Sequence, residues 1–365
     1  MQRPAVEIFS KPLIALTDSL LRDLGRLFAT EGRCYIYIAN GHGAWEAALS
    51  NVLSRGDKVL VLESGKFGLD WGEAAAGLGL QVEVFKGDWH RAVRPAEVER
   101  RLCQDRAGTI KAILALQIDT STGVVNDIAA IGHAVKAAQH DALLMVDTVA
   151  SLGCMPFAMD AWGIDVAMAG SQKGLMTPPG LGFVAAGERA RAAHRKAGLR
   201  TPYWDWTARD GDSHYQKYAG TPPEHLMFAL RQALDMLFEE QLVNVFLRHR
   251  LLAEAVRRAV AVWKKGSVID FNVVDPPRAF RYGDHTAGRR LQPQRPARVL
   301  RQQMRRGPWP WARAAERQGV SHRAYGPRQR THGARHAWRR RDRAWRARYR
   351  ALPRRRSSRD RVAER

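Results

Sequence analysis

The residues of this sequence that are best suited to chemistry are a lysine and an acid that follow two successive apolar segments. Lys173 comes shortly after the apolar residues 166–170, and Asp147 directly follows the apolar residues 142–146. In an open parallel sheet the carboxyl ends of the strands line one ligand crevice, so both side chains are expected to face the same ligand. An amine there can form a Schiff base, and a carboxylate can hold a heteroaromatic nitrogen protonated. Taken alone, an Asp at such a position is more often a helix cap.

A second candidate feature is a turn with two glycines that leads into a helix. Residues 40–49 read Asn-Gly-His-Gly-Ala-Trp-Glu-Ala-Ala-Leu. Glycine lets the backbone approach an anion closely, and the first N–H groups of the helix would point at that anion. The pattern predicts a phosphate site, although similar turns are also common where no ligand binds.

The elements that must position these residues alternate between strands and helices. Apolar segments predict strands at residues 57–64, 80–86, 111–118, 142–147 and 165–169. Helical patterns include residues 128–139 and 226–263. This alternation is typical of an α/β protein with a mostly parallel sheet between helices.

The net positive charge of the chain comes entirely from its last quarter. The 365 residues carry a net charge of +23, and residues 277–365 hold 28 Arg, no Lys and five acidic residues, so residues 1–276 are neutral overall. The tail has little aliphatic periodicity and cannot bury enough apolar surface to offset the cost of ordering its backbone. We expect an N-terminal remnant (residues 1–22), a large ligand-binding domain (23–245), the start of a small domain (246–276) and a disordered tail (277–365).

The sequence contains no pattern that predicts a membrane protein or a secreted one. No run approaches the roughly 18 apolar residues of a membrane span, and the first residues lack a signal-peptide pattern. Cys34, Cys103 and Cys154 are widely spaced and show no pairing or metal-ligand pattern. We therefore expect no membrane partner and a cytoplasmic location.

The ordered motifs of residues 15–275 resemble those of fold-type-I, class V aminotransferases of the alanine–glyoxylate and serine–glyoxylate kind. The resemblance implies that the cofactor is pyridoxal 5′-phosphate, that Lys173 forms its Schiff base and that Asp147 pairs with its ring nitrogen. It also implies that Gly41 and His42 form the phosphate cup. The expected activity is transfer of an amino group from serine or alanine to glyoxylate or a similar 2-oxo acid.

The same resemblance assigns further cofactor contacts. Val149 is expected on one face of the ring, and Phe67, in a short loop after the second strand, on the other. Thr120 would place its hydroxyl on the cofactor, and Gln172 would contact the phosphate. Judged from the residues alone, Phe67 could equally fill the nearby core, and the Ser/Thr-rich turn at Thr120 is more often a plain cap.

Residues 214–225 resemble the family segment that reaches into a neighbouring subunit. On that basis Tyr218 and Thr221 are expected on the partner's phosphate, which implies a homodimer with shared active sites. Without the resemblance this stretch would be interpreted as a surface turn.

The tail lacks the arginine with which the family binds the substrate carboxylate, in a phrase such as Phe-Arg-Ile-Gly-His. Codons permitted for residues 311–325, read one base later, encode Gly-Pro-Gly-Pro-Leu-Asn-Gly-Lys-Val-Phe-Arg-Ile-Gly-His-Thr. We therefore hypothesise a one-base slip near residues 276–285, with missense sequence after it. The usual Pro-Gly-Pro-rich segment before the first helix is also absent, so the start is expected to be short.

Two other functions compete with a working transaminase. One is a catalytically dead remnant that binds pyridoxal phosphate but cannot hold its substrate. The other is a nucleic-acid-binding protein that uses the Arg-rich tail, in which tryptophans could stack on bases. These tryptophans are Trp309, Trp311, Trp338 and Trp345. We do not favour the second, because nothing in the tail forms a recognised binding module.

Overall fold

The computed structural model describes residues 4–273, which all belong to the first of two compact units and form a sheet flanked by helices. The strands are β1 (Arg33–Ala39), β2 (Lys58–Leu62), β3 (Gln81–Phe85), β4 (Ile110–Leu116), β5 (Ile118–Asp119), β6 (Val124–Val125), β7 (Leu143–Asp147), β8 (Val166–Gly170) and β9 (Gly180–Ala186). The helices are α1 (Lys11–Phe28), α2 (Gly41–Val52), α3 (Lys66–Gly77), α4 (Pro95–Gln104), α5 (Ile128–Ala137), α6 (Glu188–His194), α7 (Trp206–Arg209), α8 (His214–Tyr218), α9 (Glu224–Glu240) and α10 (Leu242–Trp263).

The main sheet has seven strands in the order β1-β9-β8-β7-β4-β2-β3. The pairs β2–β3, β2–β4, β4–β7 and β7–β8 are parallel, whereas β9 runs antiparallel to both of its neighbours. Strands β5 and β6 form a separate two-stranded hairpin. The predicted α/β class with a mostly parallel sheet is therefore confirmed.

The core lies on both faces of the sheet because successive side chains of a strand point in opposite directions. On β4, Ile113 packs into one apolar cluster and Leu114 into the other, and both are fully buried. Helix α1 contributes Leu20 and Leu24 to the first cluster, and α2 contributes Trp45 to the second. Within residues 4–273, no helix is long and apolar enough to cross a membrane.

The five predicted strands are present, but the predicted 226–263 helix is two helices. Gln241 separates α9 from α10 with a backbone φ of 67°, a conformation that cannot continue a helix. Strands β1 and β9 were not predicted. Glycine disfavours strands, yet Gly182 of β9 is needed there because a Cβ would lie 3.0 Å from the Asn40 carbonyl oxygen.

The predicted domain boundaries inside the described region fall within helices. The boundary after residue 22 lies inside α1, and the boundary after residue 245 lies inside α10. Both helices pack onto the same core, since Leu24 and Leu242 contact the apolar cluster that includes Ile113. These two boundaries stay predictions, and the predicted boundary after residue 276 lies outside the described residues.

Candidate active site

Asp147 is the last residue of β7 and is buried, with 4% of its surface exposed. Its two oxygens accept different hydrogen bonds: Trp45 Nε1 donates to Oδ2 at 2.6 Å, and the Val149 amide donates to Oδ1 at 2.6 Å. Burial raises the pKa of Asp147 to about 6, while the two hydrogen bonds and the charge of Lys173 act against that rise. Two hydrogen bonds therefore fix the orientation of the Asp147 carboxylate, and they oppose the effect of burial on its pKa.

Lys173 lies three residues beyond β8, the parallel neighbour of β7. Its charge lowers the pKa of Asp147, so the two groups interact electrostatically across the neighbouring strand ends. The turn around Lys173 is firmly bonded, because Met176 N donates to its carbonyl at 3.0 Å and Thr177 Oγ1 donates to Ser171 O at 2.9 Å. The amine itself makes no hydrogen bond or ion pair with residues 4–273 and is exposed. It is therefore available to react.

Gly41 is the first residue of α2 and packs directly on Val149. A Cβ at Gly41 would lie 2.9 Å from Val149 Cγ2, so a larger residue would displace Val149. Asn40 Oδ1 accepts hydrogen bonds from His42 N at 3.1 Å and Gly43 N at 3.2 Å. This cap was not predicted, and it satisfies two of the N–H groups that a phosphate would use. Asn40 itself is exposed.

Gln172 provides a direct test of whether the site fits a ligand. Its side-chain Oε1 is buried and has no hydrogen-bond partner among the described residues. An orphaned buried polar atom is uncommon in a folded protein, and it marks a place where a polar group is missing. Rotating the amide by half a turn would put its NH₂ donor at the same place, where a phosphate oxygen could accept from it.

The sequence predicted Phe67 in a loop, but the loop ends at Gly65 and Phe67 is the second residue of α3. Its half-buried ring lies edge-to-face with His42, with centroids 6.5 Å apart. His42 also contacts the Trp45 ring at 4.5 Å. An aromatic group therefore extends from α3 to α2 beside Asp147, where it could cover a flat ring.

Thr120 begins the turn between β5 and β6 and is exposed. Its hydroxyl makes no hydrogen bond within residues 4–273, and the helix that follows is capped by Asp127, so Thr120 is not a plain cap. The neighbouring Asp119 is fully buried, and its charge raises the pKa of Asp147. Sequence reasoning missed Asp119, although an acid that directly follows the mostly apolar residues 113–118 was a signal.

Tyr218 is buried and hydrogen-bonded within its own chain. Only 1% of its surface is exposed, and its hydroxyl lies 3.0 Å from Thr17 Oγ1, which also contacts His214 Nε2 at 2.7 Å. The predicted contact of Tyr218 with a partner's phosphate stays a prediction. Thr221, by contrast, is exposed.

The described geometry defines a class of protein: an α/β protein with a free lysine and a buried acid at adjacent strand ends, which are the groups that pyridoxal-phosphate chemistry requires. Residues 25–270 match the family described as aminotransferase class-V, and the chain belongs to that family. Membership implies pyridoxal phosphate as the cofactor. The amine of Lys173, unpaired within residues 4–273, and the buried Gln172 amide, rotated to present its NH₂ group, fit such a cofactor.

Comparisons with individual proteins agree with this assignment. The chain is 43% identical to serine–glyoxylate aminotransferase of Methylorubrum extorquens over 68% of this chain and 63% of the relative. It is 39% identical to serine–glyoxylate aminotransferase of Arabidopsis thaliana over 72% of this chain and 66% of the relative. The chain thus spans about two thirds of the length of these relatives. The structure of alanine–glyoxylate aminotransferase from Nostoc sp. superimposes with a TM-score of 0.66 at 28% identity, covering 71% of this chain and 69% of that one.

Proposed function

We propose that this chain is a transaminase that moves an amino group from serine or alanine to glyoxylate or a similar 2-oxo acid. The observation that carries the proposal is the amine of Lys173, which has no partner within residues 4–273 and whose charge acts on the buried carboxylate of Asp147. The names of the relatives support the choice of substrates, since two of them are serine–glyoxylate aminotransferases.

Lys173 and Asp147 divide the chemistry between them. When bound, pyridoxal phosphate supplies an aldehyde for the amino group and a protonated ring that withdraws electrons. Lys173 Nζ would hold the aldehyde and, once released, would take the proton from the substrate α-carbon and return it as an acid. Asp147 would keep the ring nitrogen protonated, and its orientation is set by the hydrogen bonds from Trp45 and Val149.

The remaining site residues would hold and orient the cofactor. We assign the phosphate to the backbone of Gly41 and His42 and to the amide of Gln172. Val149 and Phe67 would lie on opposite faces of the ring, and the free hydroxyl of Thr120 would contact the cofactor. Each of these assignments stays a proposal.

A homodimer in the cytoplasm is part of the same proposal. We assign Tyr218 and Thr221 to the partner's phosphate, and Thr221 is exposed. Three free cysteines support a reducing compartment, because an extracellular chain would be expected to pair them. Light scattering on the purified protein after size-exclusion chromatography would distinguish a dimer from a monomer.

We further propose that the chain binds its cofactor but turns over poorly. This proposal rests on the predicted loss of the arginine that binds the substrate carboxylate. The hypothesised frame slip near residues 276–285 and the tail at 277–365 both lie outside the described residues. If turnover is absent altogether, the chain is instead a catalytically dead remnant that binds pyridoxal phosphate.

The test is the visible absorbance of the purified full chain after addition of pyridoxal phosphate. We expect the absorbance of a protonated Schiff base, and we expect Lys173→Ala to abolish it because no other amine would replace it. Lys66→Ala is the matched control, since Lys66 is exposed and paired with Asp70 instead. Absorbance that persists in Lys173→Ala would refute the assignment. Turnover of serine or alanine with glyoxylate then separates a working enzyme from a remnant.

A further inference from the structure

Asp119 is a buried carboxylate that the proposed chemistry does not use. It is the last residue of β5, and both of its oxygens accept hydrogen bonds. Oδ1 accepts from the amide of Ser121 at 3.0 Å and from its hydroxyl at 2.6 Å. Oδ2 accepts from Gly68 N at 3.1 Å. Because Gly68 belongs to α3, this one carboxylate joins the β5–β6 turn to the beginning of a helix that is distant in sequence.

Helix α3 is capped from that turn instead of by its own N-cap residue. Gly65, at the N-cap position, has no side chain to offer. Lys66 N donates to Ser121 Oγ at 2.8 Å, and Gly68 N donates to Asp119, so the turn satisfies two free N–H groups of α3. A Cβ at Gly65 would lie 2.5 Å from Asp119 Cγ, so glycine is needed for the close approach. Negative charge at a helix N-terminus is also favourable.

Phe67 lies between the two anchored residues of α3. Its neighbours Lys66 and Gly68 are the residues bonded to the turn, so the backbone of Phe67 is fixed from both sides. The ring is thereby held beside His42. The same carboxylate is close enough to Asp147 that its charge raises the pKa of Asp147.

We propose that Asp119 is a positioning residue of the cofactor site, which holds Phe67 against the cofactor ring and places a second negative charge near Asp147. The proposal rests on the proposed function for the identity of the ligand, pyridoxal phosphate. Asp119 acts through Phe67 and Asp147 and does not itself touch the reacting atoms. The other groups that set the charge of Asp147 are the donors Trp45 and Val149 and the cation Lys173.

The test is Asp119→Asn in the full chain, measured first without cofactor. The indole N–H resonance of Trp45 reports the ionisation of Asp147, because that N–H donates to its carboxylate. In the wild type we expect its titration midpoint near pH 6. In Asp119→Asn we expect the midpoint to move to lower pH, because a neighbouring negative charge is lost. Ser121→Ala is the matched control: it removes both hydrogen bonds of the Ser121 hydroxyl, with Asp119 and with Lys66 N, but keeps the charge of Asp119, so the midpoint should stay.

The second measurement is the dissociation constant of pyridoxal phosphate. We expect it to rise about tenfold in Asp119→Asn, which corresponds to ~1.4 kcal/mol. An unmoved midpoint, an equal movement in Ser121→Ala, or an unchanged dissociation constant would each overturn the proposal. Should Asp119→Asn not fold, Asp119→Ser replaces it, and the same downward movement of the Trp45 midpoint is required of that variant. The titration needs no cofactor, so it tests Asp119 even if Lys173→Ala refutes the proposed function.

Discussion

The chemistry of the site depends on how the protein keeps Asp147 chargeable although it is buried. A carboxylate removed from water prefers its neutral form, and burial alone moves its pKa upward. Trp45 and the Val149 amide counteract this rise by donating hydrogen bonds to the charged form. The two donors come from separate parts of the chain, so the balance exists only in the folded protein.

We predict that Trp45→Phe raises the pKa of Asp147 above its value of about 6. The substitution removes a hydrogen bond to a charged group, which contributes on the order of 1.5–3 kcal/mol, so the expected rise is about one unit. The measurement is the pH titration of the Asp147 carboxyl ¹³C resonance in the cofactor-free protein.

Trp71→Phe is the control for that experiment. Trp71 stacks on Trp45 with ring centroids 5.8 Å apart, and its own Nε1 has no partner within the described residues. Removing its N–H therefore deletes no hydrogen bond and should leave the titration of Asp147 unchanged. If the two variants shift the midpoint alike, aromatic packing and not the hydrogen bond controls the carboxylate.

At this scale the sequence located Lys173 and Asp147 at neighbouring strand ends but not the residues that surround them. Lys173 and Asp147 could be located because each follows an apolar segment that forms a strand. The roles of Asn40, Trp45 and Asp119 could not be predicted in the same way. Trp45 bonds to a carboxylate 102 residues away and Asp119 to an amide 51 residues away, and neither distance is encoded in a local pattern.

Among the elements, the strands were easier to locate than the points where helices end. Strands β2, β3, β4, β7 and β8 agree with the predicted segments to within two residues at each end. The apolar periodicity of α9 and α10 runs on across their junction, and no glycine or proline marks the break. Gln241 adopts a backbone φ of 67° there, which tertiary packing imposes against the local preference.

We predict that Gln241→Gly stabilises the protein by about 1 kcal/mol, because glycine adopts positive φ without steric cost. Gln232→Gly is the matched control, since Gln232 lies in the interior of α9 and is exposed. There the same exchange should destabilise by about 1 kcal/mol, because glycine is a poor helix former. Urea unfolding of both variants measures the difference. Destabilisation in both would mean that the conformation of Gln241 is not strained.

At the scale of the whole molecule, the chain combines a neutral body with a strongly basic tail. Residues 277–365 account for the net charge of +23, whereas the family match ends at residue 270. The shifted reading of residues 311–325 contains the arginine phrase that the tail lacks. These facts are consistent with a frame slip, which stays a hypothesis because it lies outside the described residues.

We predict that a gene corrected by one base near residues 276–285 yields a protein with far higher transaminase turnover. The corrected protein would regain the arginine that binds the substrate carboxylate, so KM for the amino donor should fall together with the gain in rate. The measurement is steady-state turnover of serine or alanine with glyoxylate in both proteins. Resequencing of the same stretch is the accompanying check, and an unbroken frame with no improvement in turnover would reject the hypothesis.

The burial of Asp147 has a consequence for the lifetime of the protein in a cell. Without its ligand, the folded chain contains a buried acid whose ionisation costs free energy. A bound pyridinium would supply the counter-charge that stabilises the ionised form. Anything that binds only the native state withdraws molecules from the unfolded pool that proteases degrade. The supply of the vitamin would therefore set how much of this protein persists as well as how fast each copy works.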